Sequence, residues 1–122
     1  MTNLLFCCDS PGIRESFERQ CKILGRRIKS VELYSQALNE AKTYSYDAFF
    51  LDFQNNFERL DVCYTADRIR DLQFNSLMIG ITIGYEKGHR EKNHFDIIIN
   101  TKKLLDPFEI KYLERFLRKS QL

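Results

Sequence analysis

The sequence predicts a doubly wound α/β domain: one five-stranded parallel sheet, order 2-1-3-4-5, with helices on both faces. Two observations carry this. Short, wholly apolar runs recur at residues 4–8, 48–51, 77–81 and 97–99, too apolar for strands that keep one face in water. Between them lie segments whose apolar residues repeat at helical spacing. Strands that alternate with amphipathic helices pair in parallel, and right-handed crossovers leave few topologies.

Leu4-Leu5-Phe6-Cys7-Cys8 is the first strand and Asp9 ends it. Ser10 offers an N-cap and Pro11 sits at the first helical position. Ile13, Phe17, Cys21 and Leu24 then mark one helix face, and Gly25 is placed to close it in the left-handed conformation. Residues 27–32 alternate polar with apolar, with Ile28 and Val31 as weak apolar content, which suits a sheet edge. Ser35 can cap a short helix carrying Ala37, Leu38 and Ala41. Ala48-Phe49-Phe50-Leu51 ends at Asp52, and a polar loop, Gln54-Asn55-Asn56, follows. Val62, Ala66, Ile69 and Leu72 mark a third helix. Leu77-Met78-Ile79-Gly80-Ile81 ends at Thr82. Residues 85–93 are polar without an amphipathic stripe, so a helix there is short or irregular. Ile97-Ile98-Ile99 is the last strand. Asp106-Pro107-Phe108-Glu109 is a capping box opening a final helix with Ile110, Leu113 and Leu117 on its core face. The default arrangement for this element order is flavodoxin-like.

With 122 residues the chain is one domain, 1–122, burying roughly two-thirds of the surface it would expose unfolded. A charged fraction of 30% against 43% hydrophobic is ordinary for a globular protein. Nineteen basic against seventeen acidic residues leaves +2, too near balance to argue for nucleic acid or an anionic membrane. No apolar run approaches the roughly 20 residues of a membrane helix, and no basic region precedes the first apolar run as in a secretory signal. Cys7, Cys8, Cys21 and Cys63 form no C-x-x-C pair, and only His89 and His94 could complete a zinc site. They read as buried thiols in a reducing compartment, so the expected location is cytoplasmic.

Ligands of such folds bind beyond the carboxyl ends of the strands. Asp9, Asp52, Thr82 and the run Asn100-Thr101-Lys102-Lys103 would converge there. No glycine-rich loop follows the first strand, which disfavours dinucleotide binding and a P-loop. The turn Asp9-Ser10-Pro11-Gly12 also lacks the donors of a flavin phosphate site. Taken singly, Asp9 is a turn or cap residue, Thr82 a β-branched strand residue, and Lys102 and Lys103 solvated charges.

From Asn3 to about Lys119 the sequence resembles the receiver domains of two-component response regulators, the CheY-like family. The telling segment is Tyr46-Asp47-Ala48-Phe49-Phe50-Leu51-Asp52, because receivers place an aspartate at the opening of strand 3 and the phosphoacceptor five residues on. Ser35 to Ala41, Arg68-Ile69-Arg70 and Ile81-Thr82 fit the same pattern. The resemblance implies that Asp52 is the nucleophile and a Mg²⁺ ligand, that Asp9 is a second carboxylate ligand, and that the backbone carbonyl of Gln54 is a third. Thr82 would hydrogen-bond a phosphoryl oxygen and Lys102 would neutralise another, although Asn100 or Thr101 can also align with the lysine position. A carboxylate attacking a phosphoryl group needs such compensation, since two anions must meet. Implied partners are a histidine kinase or phosphotransfer protein, a downstream protein target, and in some cases a second copy of the chain. The implied output face joins residues 85–94 with the helix of Ile110 to Leu117. Any chemistry would be limited to phosphorylation and dephosphorylation of the protein's own aspartate.

Four features depart from the family pattern. Cys8 stands where the first of two adjacent acids is usual. Neither lysine after strand 5 is followed by proline. The loop from Phe53 to Leu60 has neither proline nor glycine, and strand 5 has no aromatic residue. Two functions therefore stand side by side. One is a Mg²⁺-dependent receiver that switches on phosphorylation. The other is a phosphorylation-independent pseudo-receiver that binds proteins constitutively.

Overall fold

A computed structural model describes residues 3–53, 60–82 and 93–100, together with Arg115. The elements, in order, are β1 (Asn3–Cys7), α1 (Pro11–Ile23), β2 (Arg27–Val31), α2 (Tyr34–Thr43), β3 (Ala48–Asp52), α3 (Val62–Leu72), β4 (Leu77–Thr82) and β5 (Ile97–Asn100). Every strand pairing is parallel, and the order across the sheet is β2-β1-β3-β4-β5. This is the predicted flavodoxin-like, CheY-like topology. Gln54, Lys102, Lys103, His89, the expected capping box at 106–109 and the core face of the last helix lie outside the described residues, as does most of the polar stretch at 85–93.

Successive strand residues point to opposite faces, and the core splits accordingly. Leu4, Phe6 and Cys8 pack with Ala48, Phe50, Ile79 and Ile81 beneath Phe17 and Cys21 of α1. The Phe6 and Phe17 rings stack with centroids 4.3 Å apart, and Phe50 tilts against Phe17 at 4.9 Å. On the other face Leu5, Cys7, Phe49, Leu51 and Met78 pack under Tyr34, Ala37 and Ala41 of α2 and Val62, Ala66 and Ile69 of α3. Cys7 and Cys8 thus occupy opposite faces, and all four cysteines are buried and free of disulfides.

Helix ends follow local chemistry. Ser10 Oγ accepts from the Ile13 amide at 3.4 Å, with proline next to it at the helix start. At the other end of α1, Gly25 takes φ 71°, and the amides of Arg26 and Gly25 donate to the carbonyls of Cys21 and Lys22. That is a Schellman closure, which glycine adopts without a Cβ penalty. The expected cap at Ser35 is corrected. Helix α2 begins at Tyr34, with Leu33 as its extended N-cap. The side chain of Gln36 reaches back instead, its Oε1 accepting from the amides of Glu32 and Leu33 at 3.0 and 2.9 Å. The helix thus starts two residues earlier than a Ser35 cap would set it, with the Tyr34 ring buried. Leu72, expected on the core face of α3, is exposed at the last helical position, beyond the reach of the sheet.

Two aspartates clasp the amino ends of the strands. Asp47 Oδ2 accepts from the Asn3 amide at 2.7 Å, while the Asp47 amide donates to the Asn3 carbonyl and the Leu77 amide to the Asp47 carbonyl. One residue thereby ties the starts of β1, β3 and β4. Asp96 repeats the device on β4, accepting from the Met78 amide at 2.7 Å and donating to its carbonyl. His94 places Nδ1 2.9 Å from Asp67 Oδ1.

Candidate functional site

The register of the sheet assembles the site. Cys7 lies opposite Leu51, so Cys8 and Asp52, the next residues along, meet side by side. Asp52 in turn lies opposite Ile81, and Thr82 opposite Asn100. Cys8, Asp52, Thr82 and Asn100 are thus placed along one rim, at the carboxyl ends of β1, β3, β4 and β5. Asp9 continues directly from Cys8 into the turn before α1. One ligand atom from each of Cys8, Asp9 and Asp52 falls within 4.8 Å of the others. The sequence-predicted trio Asp9, Asp52 and Thr82 does share this rim, and Asp52 and Thr82 are both buried, at 4% and 9% exposure.

The Cys8 thiol donates to Asp52 Oδ2 across 3.4 Å. Burial, followed by the nearby Asp52 carboxylate, pushes this thiol up to about 12, while a hydrogen bond from the Ser10 backbone partly opposes the rise. The thiol is therefore protonated at neutral pH and available as a donor. The Tyr34 hydroxyl donates to the backbone carbonyl of Asp52 from the opposite face of the sheet. Burial raises the Tyr34 phenol well above its ordinary value, with the Asp52 charge adding to the effect, so it too stays protonated. The Arg14 guanidinium, one turn into α1, donates to the Cys8 carbonyl. The end of β3 is thus held by a thiol on its side chain and a phenol on its main chain.

Beside Asp52, the Phe53 ring packs at Gly80 of β4 and tilts against Phe95, with ring centroids 5.2 Å apart. A Cβ on Gly80 would sit 2.3 Å from Phe53 Cε1, so only glycine leaves room for this ring. Phe95 itself is buried, two residues before β5. Sequence reasoning missed Tyr34, Phe53 and Phe95 as neighbours of the site. The signal for the notch was a lone glycine inside an aliphatic strand. For Tyr34 there was no local signal, because its partner is 18 residues away.

The donor set fits a small hard cation through two of its three members. Carboxylate oxygens of Asp9 and Asp52 suit Mg²⁺, whereas a protonated thiol offers it nothing.

No protein-family model matches the chain, and no curated protein matches it significantly. Several solved structures do match over nearly their whole length. The CheY-like response regulator receiver domain from Methylobacillus flagellatus superposes with a TM-score of 0.82 at 20% identity, over 96% of this chain and 98% of that one. The CheY-like receiver domain protein from Methanospirillum hungatei gives 0.86 at 13% identity, over 99% and 97%. The response regulator TrrA from Thermotoga maritima, in complex with Mg²⁺ and BeF, gives 0.77 at 21% identity, over 98% and 99%. TrrA also matches from its complex with the histidine kinase ThkA. The chain has the CheY-like receiver fold.

Proposed function

We propose that the chain is a receiver that accepts a phosphoryl group on Asp52 and signals through a partner protein. The observation that carries this is the pairing of Asp9 with Asp52 at the carboxyl rim, beside Thr82, in a receiver fold. A carboxylate oxygen of Asp52 forms the new bond to phosphorus as the bond between phosphorus and the donor's nitrogen breaks. The released donor nitrogen keeps the electron pair and takes up a proton. Asp9 and Asp52, with the Gln54 carbonyl, would hold Mg²⁺, whose charge would offset the approach of two anions. Thr82 would donate to one phosphoryl oxygen and Lys102 would neutralise another.

The phosphoryl donor would be a histidine kinase or phosphotransfer protein. TrrA, which shares the fold, is seen in complex with the histidine kinase ThkA. The output would be a downstream protein or a second copy of the chain, with a cytoplasmic location following from the same assignment. No described helix is long and apolar enough to cross a membrane. A pseudo-receiver is the second reading, favoured by Cys8, which replaces an acid with a thiol bonded to Asp52.

Beryllofluoride, an acyl-phosphate mimic, separates the two. The chain has no tryptophan to report binding, so fluorine NMR is the suitable probe. A bound resonance that requires both Mg²⁺ and Asp52, and vanishes in Asp52→Ala, is expected of a phosphoacceptor. Folded protein with no bound resonance at high Mg²⁺ would select the pseudo-receiver.

A further inference from the structure

We infer that Cys8 is a positioning residue that holds the Asp52 carboxylate in a resting state and keeps the site's affinity for Mg²⁺ low. The inference rests on the phosphoacceptor assignment of Asp52 and goes beyond it, because it gives a role to the residue that departs most from the family pattern.

The starting point is the occupancy of the carboxylate. Asp52 has two oxygens, and phosphoryl transfer with a cation uses both: one bonds phosphorus and the other faces the metal. Oδ2 already accepts from the Cys8 thiol at 3.4 Å. A cation or a phosphoryl group competes with that thiol for the carboxylate.

The thiol is not a loosely placed surface group. Cys8 is 2% exposed and packs with Phe6, Phe17 and Cys21 in the core beneath α1. Its own backbone is pinned on two sides. The Cys8 amide donates to the Val31 carbonyl at 3.1 Å, and the Cys8 carbonyl accepts from Arg14. The donor is thus held in place, and the carboxylate must do the moving. Cys8 also brings no negative charge, so Asp9 and Asp52 are the only described acids in the cluster that face a cation. Both effects act in the same direction. The thiol adds a bond to break and withholds a charge that would attract the metal.

The two effects can be separated by substitution. Cys8→Ala removes the donor and adds no charge. Cys8→Asp removes the donor and adds a carboxylate. Cys8→Ser keeps a hydroxyl donor. Mg²⁺ affinity is read directly from the shifts of the Asp52 and Thr82 amides in a nitrogen–proton NMR titration, independent of any phosphoryl transfer. Cys8→Ala should bind Mg²⁺ roughly two- to tenfold more tightly than the wild type, the scale of one net hydrogen bond. Cys8→Asp should gain on the order of 10–100-fold, the scale of a restored outer-shell partner. Cys8→Ser should bind no more tightly than the wild type.

Equal affinity in the wild type, Cys8→Ala and Cys8→Asp, with binding lost in Asp52→Ala, would overturn the role of Cys8 and leave the phosphoacceptor site standing. If no variant binds Mg²⁺, or if Asp52→Ala binds as well as the wild type, the phosphoacceptor assignment fails and the inference falls with it. Cys8→Ala fills no new volume, so it provides the comparison even if the buried aspartate variant does not fold.

Discussion

Asp52 lies where three different bonding preferences meet. Its side chain faces a thiol, its main-chain carbonyl faces a phenol, and the next residue inserts a ring into the notch above Gly80. The two protonated donors have a measurable consequence for stability. An exposed thiol has an ordinary pKa of 9.0, and in the fold burial pushes Cys8 up to about 12. Between these values the unfolded chain has lost its proton and the folded chain has kept it. The folded state then binds more protons than the unfolded one, so stability is intact below about pH 9 and falls as pH rises toward about 12. The Cys7 thiol and the Tyr34 phenol are raised in the same direction by burial and steepen the loss. Urea denaturation at a series of alkaline pH values should show this decline, and Cys8→Ala should make it shallower. Identical slopes in the two proteins would mean that the Cys8 thiol ionises as freely folded as unfolded.

At the scale of elements, the two ends of β3 do opposite work. Asp52, at the carboxyl end, sits in the candidate site. Asp47, just before the amino end, joins three strands through one carboxylate bond and two backbone bonds. Its spacing from Asp52 matched the receiver pattern, yet its contacts are those of a clasp. Removing a partner from a hydrogen bond to a charged group costs on the order of 1.5–3 kcal/mol. Asp47→Ala should therefore lower the free energy of unfolding by about 1–3 kcal/mol. Beryllofluoride binding at saturating Mg²⁺ should survive, because the clasp and the site are at opposite ends of the strand. A variant with unchanged stability in chemical denaturation would show that the Asn3 amide is as well solvated when its partner is gone. The helices show the same division between local and distant causes. Ser10, Pro11 and Gly25 delimit α1 by backbone chemistry alone. The start of α2 instead coincides with the burial of Tyr34, and its local cap is the Gln36 side chain reaching back to the Leu33 amide rather than a hydroxyl at the N-cap.

For the whole molecule, the parallel sheet places Asp9, Asp52 and Thr82 at one rim while both faces are occupied by core. A ligand there binds only the folded chain, so binding must raise global stability. At a ligand concentration of 100 times the dissociation constant the gain is about 2.7 kcal/mol. For a domain of this size that is several degrees in Tm. Thermal unfolding followed by far-ultraviolet circular dichroism should rise by that order with Mg²⁺ and beryllofluoride together, and should not move in Asp52→Ala. A similar rise in Asp52→Ala would place the ligand elsewhere.

The strand order, the division of helices between two faces, and the rim position of Asp9, Asp52 and Thr82 were all legible in the sequence. Each depends on patterns that local physics enforces: continuous apolar runs must be covered on both sides, and right-handed crossovers restrict what remains. Cys8 could be recognised as a departure from the family pattern, but its hydrogen bond to Asp52 could not. That bond joins residues 44 apart and exists because β1 and β3 pair in one particular register. The phenol of Tyr34 under Asp52 and the Phe53 ring over Gly80 are of the same kind. They arise where separate strands and helices pack together, and packing is shape complementarity between segments that carry no trace of one another in their own residue patterns.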